Sequence, residues 1–273
     1  MSATAATGPM APLRREWARH TPAERLARWA VWLLVAAAVA WAVRTIDVIP
    51  EFLADAPEQV ADLLVRMWPP DPSIIPNVGA AMIETLHMAT LGTILSLALA
   101  LPVALMAARN VCRVRPLNLV AQFLLVASRS VNSLVWALIF VAFFGPGAAA
   151  GVLAIAFRSV GFVGKLLSEA LEETAPGPRE ALRAAGAPWP TEMLKAVWPQ
   201  VRPAYWGIAL FRWDINIRES AVLGLVGAGG IGVVLDDAIN FFDWRKVATV
   251  LLAILAVVLV AEILVTRLRA RFL

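Results

Sequence analysis

Charged and polar side chains recur inside runs that are otherwise apolar: Arg129, Ser130, Asn132 and Ser133 in one, Arg158 and Ser159 in the next, and Arg212, Asp214, Asn216, Arg218 and Glu219 in a third. An arginine at the centre of a bilayer costs about 2.5–3.5 kcal/mol on insertion scales, so each of these must face protein or water rather than lipid. Several arginines at similar depth attract an anion, which makes Arg129, Ser130, Asn132, Arg158, Arg212, Asn216 and Arg218 candidates for a substrate pathway. Internal pairing is the competing reading, because Asp214 and Arg218 stand one helical turn apart and can neutralise each other.

Two other groupings have the look of chemistry. Glu84 and His87, about a turn apart, read as a structural pair, with a proton-coupled role as the alternative. Gly227, Gly229, Gly230 and Gly232 fit the GxGxxG dinucleotide fingerprint after the apolar stretch 221–226. That fingerprint needs a second strand and an acidic residue roughly 20 positions on. Leu251 and Leu252 stand there instead. The glycines better suit two helix ends meeting closely at the outer mouth of a pore, with exposed amides able to meet an anion.

Catalysis by the chain itself finds little support. No serine, histidine and acid arrangement and no phosphate loop with a lysine is present, so ATP hydrolysis falls to another subunit. With two histidines and the single Cys112 there is no metal cluster and no intramolecular disulfide to expect.

The elements that carry these residues follow from hydropathy. The chain is 60% hydrophobic and 16% charged, with a mean hydropathy of +0.73. Apolar runs near the roughly 20 residues that cross hydrocarbon occur at 26–43, 79–108, 117–144, 148–167, 201–225 and 247–265. Pro102 is expected to kink the second, and 226–243 to form a glycine-rich acidic loop. A cleaved leader is the alternative for the first run, but its length and Trp29, Trp32 and Trp41 favour a retained span with interfacial anchors. Residues 48–68 have the apolar spacing of a helix lying along a membrane surface.

The net charge of +4 and pI near 10.0 do not indicate nucleic acid, because the basic residues sit at the ends of apolar runs without stacking aromatics. Threading six spans puts a tail at 1–25, Arg109, Arg113 and Arg115, the polar segment 172–199 and the basic carboxy-terminal tail on one side. The positive-inside rule makes that side cytoplasmic, with both termini there. The rest, 26–273, reads as one transmembrane domain.

The segment 172–199 predicts a bent helix pair. Gly177 and Pro178 suit the start of the first helix, with Glu180 in its first turn and Gly186 after its end. Pro188 and Pro190 forbid a straight continuation, and a second short helix opens at Pro190 and closes near Lys195, before Pro199.

Glu180, Ala181, Gly186 and Pro199 stand at the spacing of the cytoplasmic signature loop of ABC importer permeases, which this segment resembles. Leu182, Ala196 and Trp198 depart from the usual small and aliphatic residues. Residues 168–187 and 198–232 look like the permease of phosphonate ABC importers, with Asn216, Arg218 and 222–232 matching best. Asn132 replaces a common proline, and Trp213 and Asp214 stand where phenylalanine and glutamate are frequent, which directs attention to relatives of phosphonate such as phosphite or hypophosphite.

The resemblance implies an all-α integral membrane protein of the inner membrane, a type I ABC importer permease of about six transmembrane helices with a cytoplasmic coupling helix pair. It implies a homodimer working by alternating access with two ATPase subunits, which hold ATP and Mg, and a periplasmic or lipid-anchored binding protein. The chain itself would bind no cofactor. In that scheme Glu180 makes a polar contact that holds the lever, Gly186 lets it bend, and Pro199 sets its junction with the fifth span. A permease for another small solute such as an amino acid, or a membrane-embedded enzyme built on Glu84, His87 and the glycines, are the alternatives.

Overall fold

The computed structural model describes residues 22–46 and 50–272, and every regular element among them is a helix. The tail expected over residues 1–25 lies outside the described residues as far as residue 21. Contacts divide the chain into a unit ending at Ala61 and a unit beginning at Asp62.

In the first unit, α1 (Pro22–Thr45) is long and apolar enough to cross a membrane and buries none of its described side chains. Exposure around the whole circumference of an apolar helix is the arrangement hydrocarbon surroundings require. An amphipathic α2 (Pro50–Met67) follows and straddles the division, its last turns joined by an Arg66–Asp62 pair at 2.7 Å.

The second unit is organised on α3 (Ile75–Ala107). Asp71 accepts from the Ser73 amide at 2.9 Å and opens a single tight turn, Pro72–Ile74, that leads into it. At 33 residues the helix passes through Pro102 without a break. Its buried side reads Thr85, Ala89, Gly92, Thr93, Ser96, Ala100 and Ala104, small residues at helical spacing. Against this side lies α6 (Ala148–Glu172), with Gly151, Ala154, Ile155 and Ser159 buried. A Cβ on Gly92 would stand 2.6 Å from Ile155 Cγ2. Small side chains therefore set how near the two backbones come, which is how helices associate where lipid removes the hydrophobic drive.

The run expected as one span over 117–144 is two helices, α4 (Arg115–Ser130) and α5 (Ser133–Phe144), meeting at 93°. Asn132 is the physical reason. With extended backbone, its side chain accepts from the Leu134 amide at 3.1 Å, so it starts a new helix instead of continuing the old one.

The fifth run is α9 (Trp198–Leu223), closed by one tight turn at Gly224–Val226. The loop expected over 226–243 contains a further helix, α10 (Ile231–Asn240), bent by 44° from α9. α11 (Trp244–Phe272) closes the bundle. Among the described residues four helices are long and apolar enough to cross a membrane, and up to six spans result if each bent pair counts as one.

The expected elbow is present with altered limits. Its first arm is α7 (Pro176–Ala184), followed by Gly186 at φ +76°. Its second arm, α8 (Trp189–Glu192), does not end before Pro199. It passes through a wide turn, Met193–Val197, directly into α9, and Pro199, which has no N–H for a continuing helix, sits just beyond that turn, where the ordinary hydrogen-bond ladder is already interrupted.

Candidate functional site

The polar residues of α6 and α9 converge in the centre of the bundle. Glu219 accepts from Arg158 across the α6–α9 interface and from Arg212 on its own helix at 3.3 Å. Arg212 Nε donates to Ser159 Oγ at 2.8 Å, Ser159 Oγ donates to Asn216 Oδ1 at 3.2 Å, and Asn216 Nδ2 donates to Thr93 Oγ1 of α3 at 2.8 Å. The Phe162 ring lies 5.4 Å below the Arg212 guanidinium. One carboxylate shared by two guanidinium groups leaves a positive excess, and Arg158 Nε is buried without a hydrogen-bond partner. The cluster thus holds a surplus of both charge and donors, which an oxyanion can satisfy.

Arg218 is placed differently. Its side chain is 45% exposed and pairs with Asp214 and, at 2.8 Å, with Glu262 of α11, so the expected Asp214–Arg218 neutralisation occurs. Arg129, Ser130 and Asn132 do not join the cluster. Arg129 lines a cavity with Gln122 and Lys165, Ser130 donates to the Val126 carbonyl of its own helix at 2.7 Å, and Asn132 is spent as the α5 cap. Glu84 and His87 are exposed on α3.

At the far end of α9 from the elbow, the glycine run is packed rather than open. Gly227, Gly229 and Gly230 have φ of +79°, +85° and +74°, and a Cβ on Gly230 would meet Thr85 Oγ1 at 2.6 Å. Gly232 lies against the Ala221 carbonyl and Gly224, so the two helix ends do approach closely, as the sequence suggests. The expected exposed amides are not there: residues 228–232 are buried, and the Ile231 amide donates to Thr85 Oγ1 at 2.8 Å. A buried N–H must find a partner, and the threonine one helix away supplies it.

The elbow is braced by a residue the signature did not single out. Glu192, at 6% exposure, accepts from Arg179 at 3.1 Å and from Arg183 at 2.9 Å. Its hydrogen bond holds the Arg183 pKa above the ordinary arginine value. Arg179 also donates to the Asn110 carbonyl at 2.6 Å, tying the elbow to the loop between α3 and α4. On the side of α8, Met193, Val197 and Val201 pack with Ala104, Leu167 and Leu171 of α3 and α6. No residue of α7 is buried, and Glu180 and Ala181 face outward.

Two hubs, Glu219 and Glu192, were thus missed as such. Arg212 and Glu219 are seven residues apart, two helical turns on one face, and that spacing was available in the sequence. The Glu192 brace closes across the Gly186 turn, which no helical spacing reveals.

A family model described as the inner membrane component of binding-protein-dependent transport systems matches residues 100–273. The putative phosphite transport system permease protein HtxC of Stutzerimonas stutzeri is 38% identical over 260 residues, covering 95% of this chain and 90% of that protein. The phosphate-import permease protein PhnE of Mycolicibacterium smegmatis is 39% identical over 230 residues, covering 84% of this chain, which spans 43% of that relative's length. Among solved structures, inward-facing MetNI methionine ABC transporter has a chain that superposes with a TM-score of 0.65 at 20% identity, covering 74% of this chain and 99% of that one. That likeness speaks for the fold.

Proposed function

This chain belongs to the family of inner-membrane components of binding-protein-dependent transport systems, and from that membership we propose that it is the permease of an ATP-driven importer of a phosphorus oxyanion, either phosphonate or a reduced relative such as phosphite or hypophosphite. The observation that carries the substrate class is the Arg158–Glu219–Arg212 cluster, Arg212 buried and the other two half-buried, with its positive excess and unsatisfied Arg158 Nε. Relatives named for phosphite transport and phosphate import agree with it.

Two copies of the chain form the pathway, and each seats its elbow on a cytoplasmic ATPase subunit that holds ATP and Mg. A periplasmic or lipid-anchored binding protein delivers the substrate on the opposite side. Both termini lie in the cytoplasm. The exposed face of α7, carrying Glu180 and Ala181, meets the ATPase; Gly186 sets the angle of the lever; Pro199 starts the helix that receives the motion. Alternating access follows when closure of the ATPase pair moves both levers. The pathway residues are Arg158, Arg212, Asn216 and Arg218, together with Arg129, Ser130 and Asn132. The glycines 227, 229, 230 and 232 close the outer mouth by packing.

Uptake in vesicles holding the permease, its ATPase and its binding protein tests the reading. Gly186→Pro and Glu180→Lys should abolish substrate-stimulated ATP hydrolysis and uptake while the protein still reaches the membrane, and normal values in both would refute the lever. Neutralising Arg158, Arg212 and Arg218 singly should lose oxyanion flux in at least one assembled variant. Full flux in all of them would point to an uncharged solute instead.

A further inference from the structure

The elbow end of the bundle carries a basic cavity that, Arg129 apart, the transport reading does not use. A space of about 560 Å³ is bounded by Arg109, Arg113 and Arg115 together with Asn118, Leu119 and Gln122 of α4. A second space of about 270 Å³ shares Arg109 and Gln122 with it and adds Arg129 and Lys165. The walls are fixed by amides: Asn118 Nδ2 donates to the Ala107 carbonyl at 2.6 Å and to Met106 at 3.2 Å, and Gln122 Nε2 donates to Asn118 Oδ1 at 2.9 Å. These bonds pin the start of α4 onto the end of α3 and leave the guanidinium groups as the donors facing the cavity.

The cations there are poorly compensated. Lys165 pairs with Glu169 at 3.0 Å, and Glu172 accepts from the Arg109 backbone amide at 2.8 Å. Among the described residues, none of the four arginines has a carboxylate within ion-pair distance. A cluster of like charges held in fixed walls, with Glu172 of the smaller space set against four arginines, is a site for a multiply hydrogen-bonding anion such as a phosphate group.

What the cavity opens onto decides which phosphate. Leu119, a wall of the larger space, is 65% exposed, and Phe123 and Val126 continue from it at 71% and 47% along the same side of α4. Spacings of four and three residues put the three in one stripe. A phosphate-binding head continuous with an apolar track is the shape of a phospholipid, whereas a free oxyanion has no use for the track.

We infer that this cavity binds the headgroup of an anionic phospholipid, whose acyl chain lies along Leu119, Phe123 and Val126. Basic pockets between membrane helices recognise such headgroups by this combination of charge and depth. The loop that supplies Arg109 and Arg113 is also the loop whose Asn110 carbonyl holds Arg179. An occupied cavity therefore stiffens the base of the elbow.

Cys112, the chain's single cysteine, lines the same space and reports on it without mutation. Maleimide labelling of Cys112 in the detergent-purified protein should slow on adding phosphatidylglycerol, and far less on adding phosphatidylcholine. Arg113→Gln combined with Arg115→Gln should weaken the lipid's apparent affinity by roughly fivefold or more per arginine. Equal slowing by phosphatidylcholine overturns the site. Equal slowing by inorganic phosphate alone assigns it to a free anion and overturns the lipid. Slowing produced only by the ATPase subunit makes it a protein contact and overturns it as well.

Discussion

One glutamate between two arginines occurs twice among the described residues, and the two copies differ in how far water reaches their second arginine. Glu219 holds Arg158 and Arg212 inside the bundle, where the Arg212 side chain is only 3% exposed. Glu192 holds Arg179 and Arg183 at the elbow, where Arg183 is 48% exposed. In the core, desolvation makes each uncompensated charge expensive, so the glutamate is what lets two arginines be buried at all. At the elbow, water reaches Arg183 but hardly Glu192 or Arg179, which are 6% and 16% exposed, so only the outer arm of the brace is a solvated pair and the inner arm fixes the angle between two short helices.

The largest effect that contrast predicts is for Glu219→Gln, which strands two guanidinium groups. Loss of about 3–5 kcal/mol is expected, the usual cost of removing one member of a buried ion pair. Thermal unfolding in detergent measures it, and adding Arg158→Gln should recover part of the loss. An unshifted melting curve would mean the core cluster is hydrated and the contrast is false. Next comes Ser159→Ala, which removes the acceptor of Arg212 Nε and the donor to Asn216. About 1.5–3 kcal/mol is expected for a hydrogen bond to a charged group.

Glu192→Gln should be milder for stability and severe for coupling. Its melting shift is expected to be smaller than that of Glu219→Gln, because Arg183 keeps its water while Arg212 has almost none, and ATP hydrolysis stimulated by the binding protein is lost. A shift as large as the core variant's would erase the distinction. The smallest effect is that of salt. Raising ionic strength should loosen Arg183 from Glu192 and leave Arg158–Glu219 intact, because exposed pairs are screened and buried ones are not. Tryptic cleavage at Arg183, followed against salt, reads this directly.

How much of this was legible in the sequence depended on whether the signal was local. Apolar length gave the spans, and the prolines and Gly186 gave the elbow, since both are properties of contiguous residues. The break between α4 and α5 was hidden because residues 117–144 are apolar on both sides of it, and the only mark is Asn132, whose capping role emerges when its side chain turns onto the Leu134 amide. Helix α10 was hidden by the glycines that precede it, which signal a loop but serve to pack two helix ends together. The core cluster was half legible. Arg158, Arg212 and Asn216 were candidates from their depth, whereas Glu219 was not, and only the packing of α6 on α9 makes it their counter-ion.

The wide turn at Met193–Val197 fixes the rotational phase between everything before it and everything after it. Because α8 and α9 are joined there without a break, the bearing of Arg212 and Asn216 around their helix is locked to the bearing of Glu192. Removing one residue from the ordinary winding of α9 ahead of Arg212, where no wide turn absorbs the change, would swing one side past the other by about 100°, the angle per residue in an α-helix. A single deletion would then leave every contact residue in the chain and point the two ends of the rod at the wrong neighbours.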